Sequence, residues 1–201
     1  MNFEAVTMNR YLMSIVLSIL LGLGISGCAP LVAGAAVGVA GTVAIYDRQT
    51  LKEKAVDFNM ANVILQHLLS DPEIKKQCHV AVTAYHGTVL LVGQAPTLEL
   101  RERIEEVARS DSGIQRFYNE ITINGPSSLL TRTSDTWITT KVKSLLLATK
   151  GLHSGQIKVL TEDSTVFLLG VVSRSQADFA VNATKRAKGV KKVVKVFQYT
   201  S

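Results

Sequence analysis

Apolar residues recur along this chain with two alternating periods, and the whole pattern occurs twice. From Val56 onward it predicts the order helix, strand, strand, helix, strand, and from Ser134 the same order begins again. In the first copy, residues 58–69 have helical spacing and should stop before Asp71-Pro72, because the residue ahead of a proline disfavours the α region. Residues 80–85 and 88–92 alternate or run apolar on either side of His86-Gly87, which predicts a hairpin. Leu100, Ile104, Val107 and Ala108 mark an amphipathic helix, and residues 117–123 supply the closing strand.

The repeat is visible residue by residue. Val80, Val82, Thr88, Val89, Leu91 and Gly93 fall against Ile157, Val159, Thr165, Val166, Leu168 and Gly170 at an offset of 77; at the same offset Leu65, Leu68 and Leu69 fall against Val142, Leu145 and Leu146. Later one residue drops out, so that Gly113-Ile114 matches Gly189-Val190. The second hairpin turn is Glu162-Asp163-Ser164, and Ser173 with Gln176 suggests a capping box for the helix that follows. The expected class is α+β: two αββαβ domains over 56–124 and 134–201, each a three-stranded mixed sheet packed against two helices, with residues 125–133 as linker. The strand-helix-strand crossovers should be right-handed. Domains this small have limited cores, so the two copies are expected to dock.

Ahead of the repeats, Arg10 precedes an apolar run over residues 11–25, as in a secretory signal peptide. Glu4 is out of place in such a leader, which makes Met8 an alternative start to Met1. Gly24-Ile25-Ser26-Gly27-Cys28 resembles a lipobox, with Ile25 where leucine is usual. That resemblance implies a signal peptide over 1–27 and a mature chain beginning at Cys28, which would carry a thioether-linked diacylglycerol and an N-acyl chain. Several acyl chains anchor far more firmly than one. Ala29 stands where the inner-membrane retention signal usually has Asp, so the resemblance points to the outer membrane. Residues 28–55 then read as the lipidated cysteine and a tether. Within it, 29–46 is dominated by Gly, Ala and Val and is expected to lie near the membrane surface; a second span, with Gly34 and Gly38 at small-xxx-small spacing, is the alternative.

Candidate chemistry concentrates in residues 134–150. Ser134 or Asp135 is the expected N-cap, and Ile138, Val142, Leu145 and Leu146 form one apolar stripe. Trp137, the only tryptophan, lies roughly 120° from the centre of that stripe at about 100° per residue. It shares its face with Thr140, Lys141, Ser144 and Ala148. Charge sharpens this: residues 56–123 hold 6 Lys/Arg and 9 Asp/Glu, net −3, whereas 134–201 hold 11 and 4, net +7. Basic residues are worth about 1 kcal/mol each beside an anionic membrane, and tryptophan favours headgroup depth. The expected arrangement has Trp137 inserted, Thr140, Lys141, Ser144 and Leu147 against anionic headgroups, and Lys143 and Lys150 adding charge nearby. At the same offset Trp137 aligns with Met60 and Lys141 with Ile64, a face without the basic-aromatic pair and expected to pack against the neighbouring domain.

Other chemistry finds little support. Cys28 and Cys78 are the only cysteines, so acylation of the first leaves no intramolecular disulfide. His67, His79, His86 and His153 have no zinc-type spacing with Cys78, and neither metal nor cofactor is expected. Lys185, Arg186, Lys188, Lys191, Lys192 and Lys195 form a dense basic run of nucleic-acid type, which secretion argues against. Gly93 and Gly170 lack any phosphate-loop context, and Glu102, Glu105 and Glu106 fall on the solvated side of a helix. With no nucleophile, base and orienting group in a recognisable motif, an enzyme is not expected.

The stretches VTAYHGTVLLVGQ at 82–94, FYNEI at 117–121, SDTWITTKVKS at 134–144, VFLLGVV at 166–172 and GVKKV at 189–193, behind a lipobox, resemble the dual BON-domain outer-membrane lipoproteins. The resemblance covers nearly the whole mature chain. It implies a non-enzymatic protein on the inner leaflet of the outer membrane, facing the periplasm and gathered at division sites. It further implies binding of phosphatidylglycerol or cardiolipin through the first helix of the second domain, a role in envelope integrity, and periplasmic envelope-assembly proteins as further partners. The rival is a structural adaptor that uses the same face for a periplasmic protein or cell-wall partner.

Overall fold

A computed structural model describes residues 51–200; residues 1–27, read as a signal peptide, Cys28 and residues 29–50 of the stretch read as a tether lie outside the described residues, while residues 51–55 of that stretch are helix rather than tether. The first domain contains α1 (Leu51–Ser70), α2 (Pro72–Gln77), β1 (His79–Tyr85), β2 (Thr88–Ala95), α3 (Leu98–Arg109) and β3 (Arg116–Ile123). The second contains α4 (Leu129–Ala148), a 3-10 turn (Ser154–Gln156), β4 (Ile157–Glu162), β5 (Thr165–Val172), α5 (Arg174–Lys185) and β6 (Lys192–Tyr199). In each sheet the middle strand pairs antiparallel with its hairpin partner and parallel with the closing strand. This is the α+β, mixed-sheet architecture that the pattern predicts. One short helix is additional: Asp71 caps α2 by accepting from the amides of Glu73 and Ile74, and Pro72 takes the first turn, where a missing N–H costs nothing.

Each domain has its own core between helices and sheet. Ile64 and Leu68 of α1 and Leu100, Ile104 and Ala108 of α3 meet Val89, Leu91 and Ile121; in the second domain Ile138, Val142, Leu146, Ala177, Ala180 and Ala183 meet Val166, Leu168 and Phe197. A third cluster joins the domains: Tyr85, Leu90 and Val92 pack against Phe167, Leu169 and Val196. Successive strand residues point to opposite faces, so Val89 and Leu91 serve their own core while Leu90 and Val92 serve the joint. Every residue of β2 is therefore buried, and a strand covered on both faces reads as an unbroken apolar run. The domains dock sheet to sheet. Tyr85 Oη donates to the Gln156 carbonyl (3.1 Å), Lys158 Nζ to the Ala84 carbonyl (3.0 Å), and Gln198 Nε2 to Thr88 Oγ1 (2.6 Å).

This arrangement corrects the expectation for the helix face of the first repeat. Ile64 is fully buried in its own domain and Met60 packs on that same core, so neither belongs to the interdomain joint. The helices are offset by 78, not 77: Asp57, Ile64 and Leu68 match Asp135, Val142 and Leu146 in burial. Between Leu68 and Val80 the first domain has one residue more than the second has between the equivalent Leu146 and Ile157, and this restores 77 in the strands. Trp137 thus corresponds to Asn59, and Lys141 to Val63.

Two caps also differ from expectation. Helix α4 begins at Leu129, with Ser128 Oγ accepting from the Thr131 amide (3.1 Å), so residues 129–133 are helix rather than linker and neither Ser134 nor Asp135 is the N-cap. Asp135 instead turns inward. Its carboxylate is buried and accepts from the amides of Asp163 (2.8 Å) and Ser164 (2.9 Å), which sit at φ of 44° and 60°. Asp57 does the same for His86 and Gly87 in the first domain (2.7 and 3.2 Å). At α5 only half of the capping box forms: Ser173 Oγ accepts from the Gln176 amide, while the Gln176 side chain bonds the Gly151 carbonyl and the His153 amide, tying α5 to the loop before β4.

Candidate functional site

Helix α4 has 20 residues, about 30 Å at 1.5 Å per residue. Its inner face is occupied by Ile138, Val142 and Leu146, with half-buried Leu145 at the edge of the core. The outer face carries large apolar side chains along its whole length: Leu129 is 78% exposed, Leu130 80%, Trp137 55% and Leu147 68%. At about 100° per residue, Leu130, Trp137, Lys141, Ser144 and Ala148 align along one stripe, with Leu129 and Leu147 at its margin. No described helix is long and apolar enough to cross a membrane, and this one is occupied along one side by its own domain.

The polar groups of this face are matched to its apolar ones. The Lys141 ammonium sits 4.4 Å from the centroid of the Trp137 ring, a cation–π contact of about 0.5–1 kcal/mol at an exposed site. Thr133, Thr136, Thr140 and Ser144 each donate their hydroxyl to the backbone carbonyl four residues earlier. Back-bonded hydroxyls already have an acceptor, which lowers the cost of moving the face out of bulk water. Thr140, Ser144, Leu147 and Lys150 are exposed on or beyond this helix, and Lys141 is half-buried with its ammonium over the indole. Lys143 is exposed but about 120° around the helix from Trp137, beyond Leu147, where it lines the cleft between the domains beside Lys158 and Phe58. Leu129 and Leu130 are hidden at the level of sequence because the Gly125-Pro126-Ser127-Ser128 stretch ahead of them reads as linker. The signal that could have found them is Ser128 itself, an ordinary N-cap residue followed by apolar positions.

The linker is tied down close to α4. Gln94 of the first domain donates to Glu162 Oε1 (2.8 Å) and accepts from the Ser127 amide (2.9 Å), and Arg132 donates to the Ser127 carbonyl (2.8 Å). His79 Nε2 lies 3.6 Å from Glu162 Oε2. Among the described residues no group of three or more His, Cys, Asp or Glu side chains is placed to hold a metal ion. Burial raises the pKa of the Cys78 thiol, which removes it from the thiolate chemistry of reactive cysteines.

The BON domain family model matches residues 56–125 and 134–201, the two halves just described. The chain belongs to the BON-domain family. It is 35% identical over 188 residues to outer membrane lipoprotein DolP of Haemophilus influenzae, covering 91% of this chain and 95% of that protein. It is also 38% identical over 136 residues to a 21 kDa hemolysin of Actinobacillus pleuropneumoniae, covering 68% of this chain and 70% of that one. Overlap with the C-terminal domain of CdsD, a structural protein of the type III secretion system of Chlamydia trachomatis, has a TM-score of 0.29 at 15% identity, over 74% of this chain and 67% of that one. So low a score carries no argument. The candidate site thus belongs to the second BON domain, and the matching helix of the first BON domain has Asn59 and Val63 where the site has Trp137 and Lys141.

Proposed function

We propose that this protein is an outer-membrane-associated BON lipoprotein, not an enzyme, that lays α4 of its second domain on anionic phospholipid. The observation that carries the reading is the exposed row Leu130, Trp137 and Leu147, with Lys141 held over the indole, on the domain of net +7. A helix with an apolar face and flanking cations lies in the interface plane, and an indole is favoured there because its ring is apolar while its N–H stays wet. Trp137 enters the headgroup layer, Thr140, Lys141, Ser144 and Leu147 lie against it, and Lys150 adds charge at the helix end. Lipidated Cys28 would hold the domain near the surface, so α4 need supply only modest affinity. Similarity to outer membrane lipoprotein DolP supports the outer-membrane address. Placement on the inner leaflet facing the periplasm, gathering at division sites and a part in envelope integrity belong to the same proposal, and imaging a fluorescent fusion expressed from its own promoter would test them.

Vesicle binding by the chain from residue 47, which lacks the anchor, is the direct test. Binding should require phosphatidylglycerol or cardiolipin, weaken in high salt and shift Trp137 fluorescence to the blue. Trp137→Glu, at an exposed position, should reduce it about tenfold without changing the fold. Equal binding to phosphatidylcholine vesicles would refute the lipid reading. A blue shift on adding periplasmic extract but none with lipid would favour the adaptor.

A further inference from the structure

On the far flank of α4 from Trp137, the two domains leave an open cleft of about 440 Å³. Its cations come from three different elements: Lys54 from α1, Lys143 from α4 and Lys158 from β4. Its floor is apolar, with Ala84 and Ile157, and Phe58 stands at the rim with 70% of its surface exposed. The single carboxylate in the lining, Asp57, is engaged with the His86 and Gly87 amides.

Two details show that the cleft is short of negative charge. Lys143 makes no hydrogen bond or ion pair with the described residues, and the Lys158 ammonium donates to one neutral acceptor, the Ala84 carbonyl. Burial pulls the Lys158 pKa below the ordinary lysine value, the Asp57 carboxylate opposes that, and the Lys143 ammonium adds to it. An anion between the two lysines would offset both the desolvation and the mutual repulsion. Several ammonium groups over an apolar floor with an aromatic rim suit an anion that carries a hydrocarbon tail. The volume lies within the usual range for small-molecule sites, about 300–1,000 Å³, which accommodates a headgroup and the first carbons of its chains but not two whole acyl chains.

We infer that this interdomain cleft is a second lipid site, which takes the phosphodiester headgroup of one anionic phospholipid between Lys143 and Lys158, with Phe58 against the glycerol and first acyl carbons. It rests on the lipid reading for its ligand class, but its geometry is independent of the outer face of α4. The site requires both domains in their docked arrangement, so occupancy would stabilise the sheet-to-sheet joint by mass action.

Native mass spectrometry of the protein purified from membranes in dodecyl maltoside tests this, with phosphatidylglycerol, phosphatidylcholine, inorganic phosphate or an acidic peptide added. One phosphatidylglycerol should be retained per chain. Lys143→Glu and Phe58→Glu, both at exposed positions, should each cut retention about fivefold or more, whereas Trp137→Glu, which disables the outer face, should still retain the lipid. Failure to retain phosphatidylglycerol, equal retention of phosphatidylcholine, or loss only in Trp137→Glu would overturn the inference. Displacement by equimolar inorganic phosphate would make the cleft a free-phosphate site, and displacement by the acidic peptide a peptide site, and either result overturns the lipid assignment. Vesicle binding by the anchor-free chain from residue 47 should survive in Lys143→Glu and Phe58→Glu and fall about tenfold in Trp137→Glu, the reverse of the retention pattern, so that loss of one site is distinguishable from loss of the other.

Discussion

Gly93→Ala is expected to prevent the first BON domain from folding. A Cβ at this position would lie 1.9 Å from the His79 carbonyl oxygen and 2.9 Å from its carbon, both backbone atoms of β1, the neighbouring strand. The backbone there has φ of 133°, a region that side-chain-bearing residues rarely adopt. Strand β2 has little room to yield, because it is bonded on one side to β1 and on the other to β3, and a shift of the edge strand β1 would break its ladder with β2. Ordinary core substitutions cost about 2–5 kcal/mol, whereas this one opposes two backbones and a strained φ together. A penalty of that kind rivals the whole stability of a domain, about 5–15 kcal/mol. Circular dichroism and limited proteolysis would show the loss, and a melting temperature within about 5 °C of the parent would contradict it. Gly170→Ala should be milder, since its Cβ meets the Gln156 carbonyl oxygen at 2.5 Å and no positive φ is involved.

Asp135→Ala is expected to destabilise the second domain by about 2–4 kcal/mol, through the loss of two hydrogen bonds to a buried carboxylate. The Asp163 and Ser164 amides it accepts from belong to residues in the left-handed region, a conformation that neither residue favours without help. Removing the acceptor leaves both the strained turn and its amides unsupported. Because Asp135 lies two residues before Trp137, the same change would loosen the part of α4 that presents the indole. A fall in melting temperature on the order of 10 °C would agree with this. Asp135→Asn should lie between the two, since its side chain keeps one acceptor oxygen and cannot serve both amides equally. An Asp135→Ala protein as stable as its parent would mean that water replaces the carboxylate at the turn.

Local patterns explain why so much of the fold was legible. The period of apolar residues reports which side of an element is buried, and the two copies report it twice, so strands, hairpins and core stripes could be placed from the sequence. The exposed position of Trp137 follows from the same arithmetic. What periodicity does not report is the surface against which a face is buried. In sequence Ile64 looks like a candidate for the interdomain joint, and only the packing shows that it faces its own sheet while Leu90 and Val92 form the joint. Asp135 reads in sequence as a helix cap, because nothing local shows that a turn 29 residues further on needs an acceptor, and Asp57 has the same hidden role in the first domain.

The candidate lipid face divides in the same way. Sequence alone determined the repeat, the α+β class, the charge asymmetry and an indole off the core stripe, since each depends on composition or spacing within one element. Tertiary structure alone decided that Leu129 and Leu130 stay uncovered on the face, that Lys141 lies over the Trp137 ring, and that Lys143 belongs to the interdomain cleft. Each of these depends on atoms brought together from distant parts of the chain or on a side-chain direction, and the spacing of apolar residues carries no information about either.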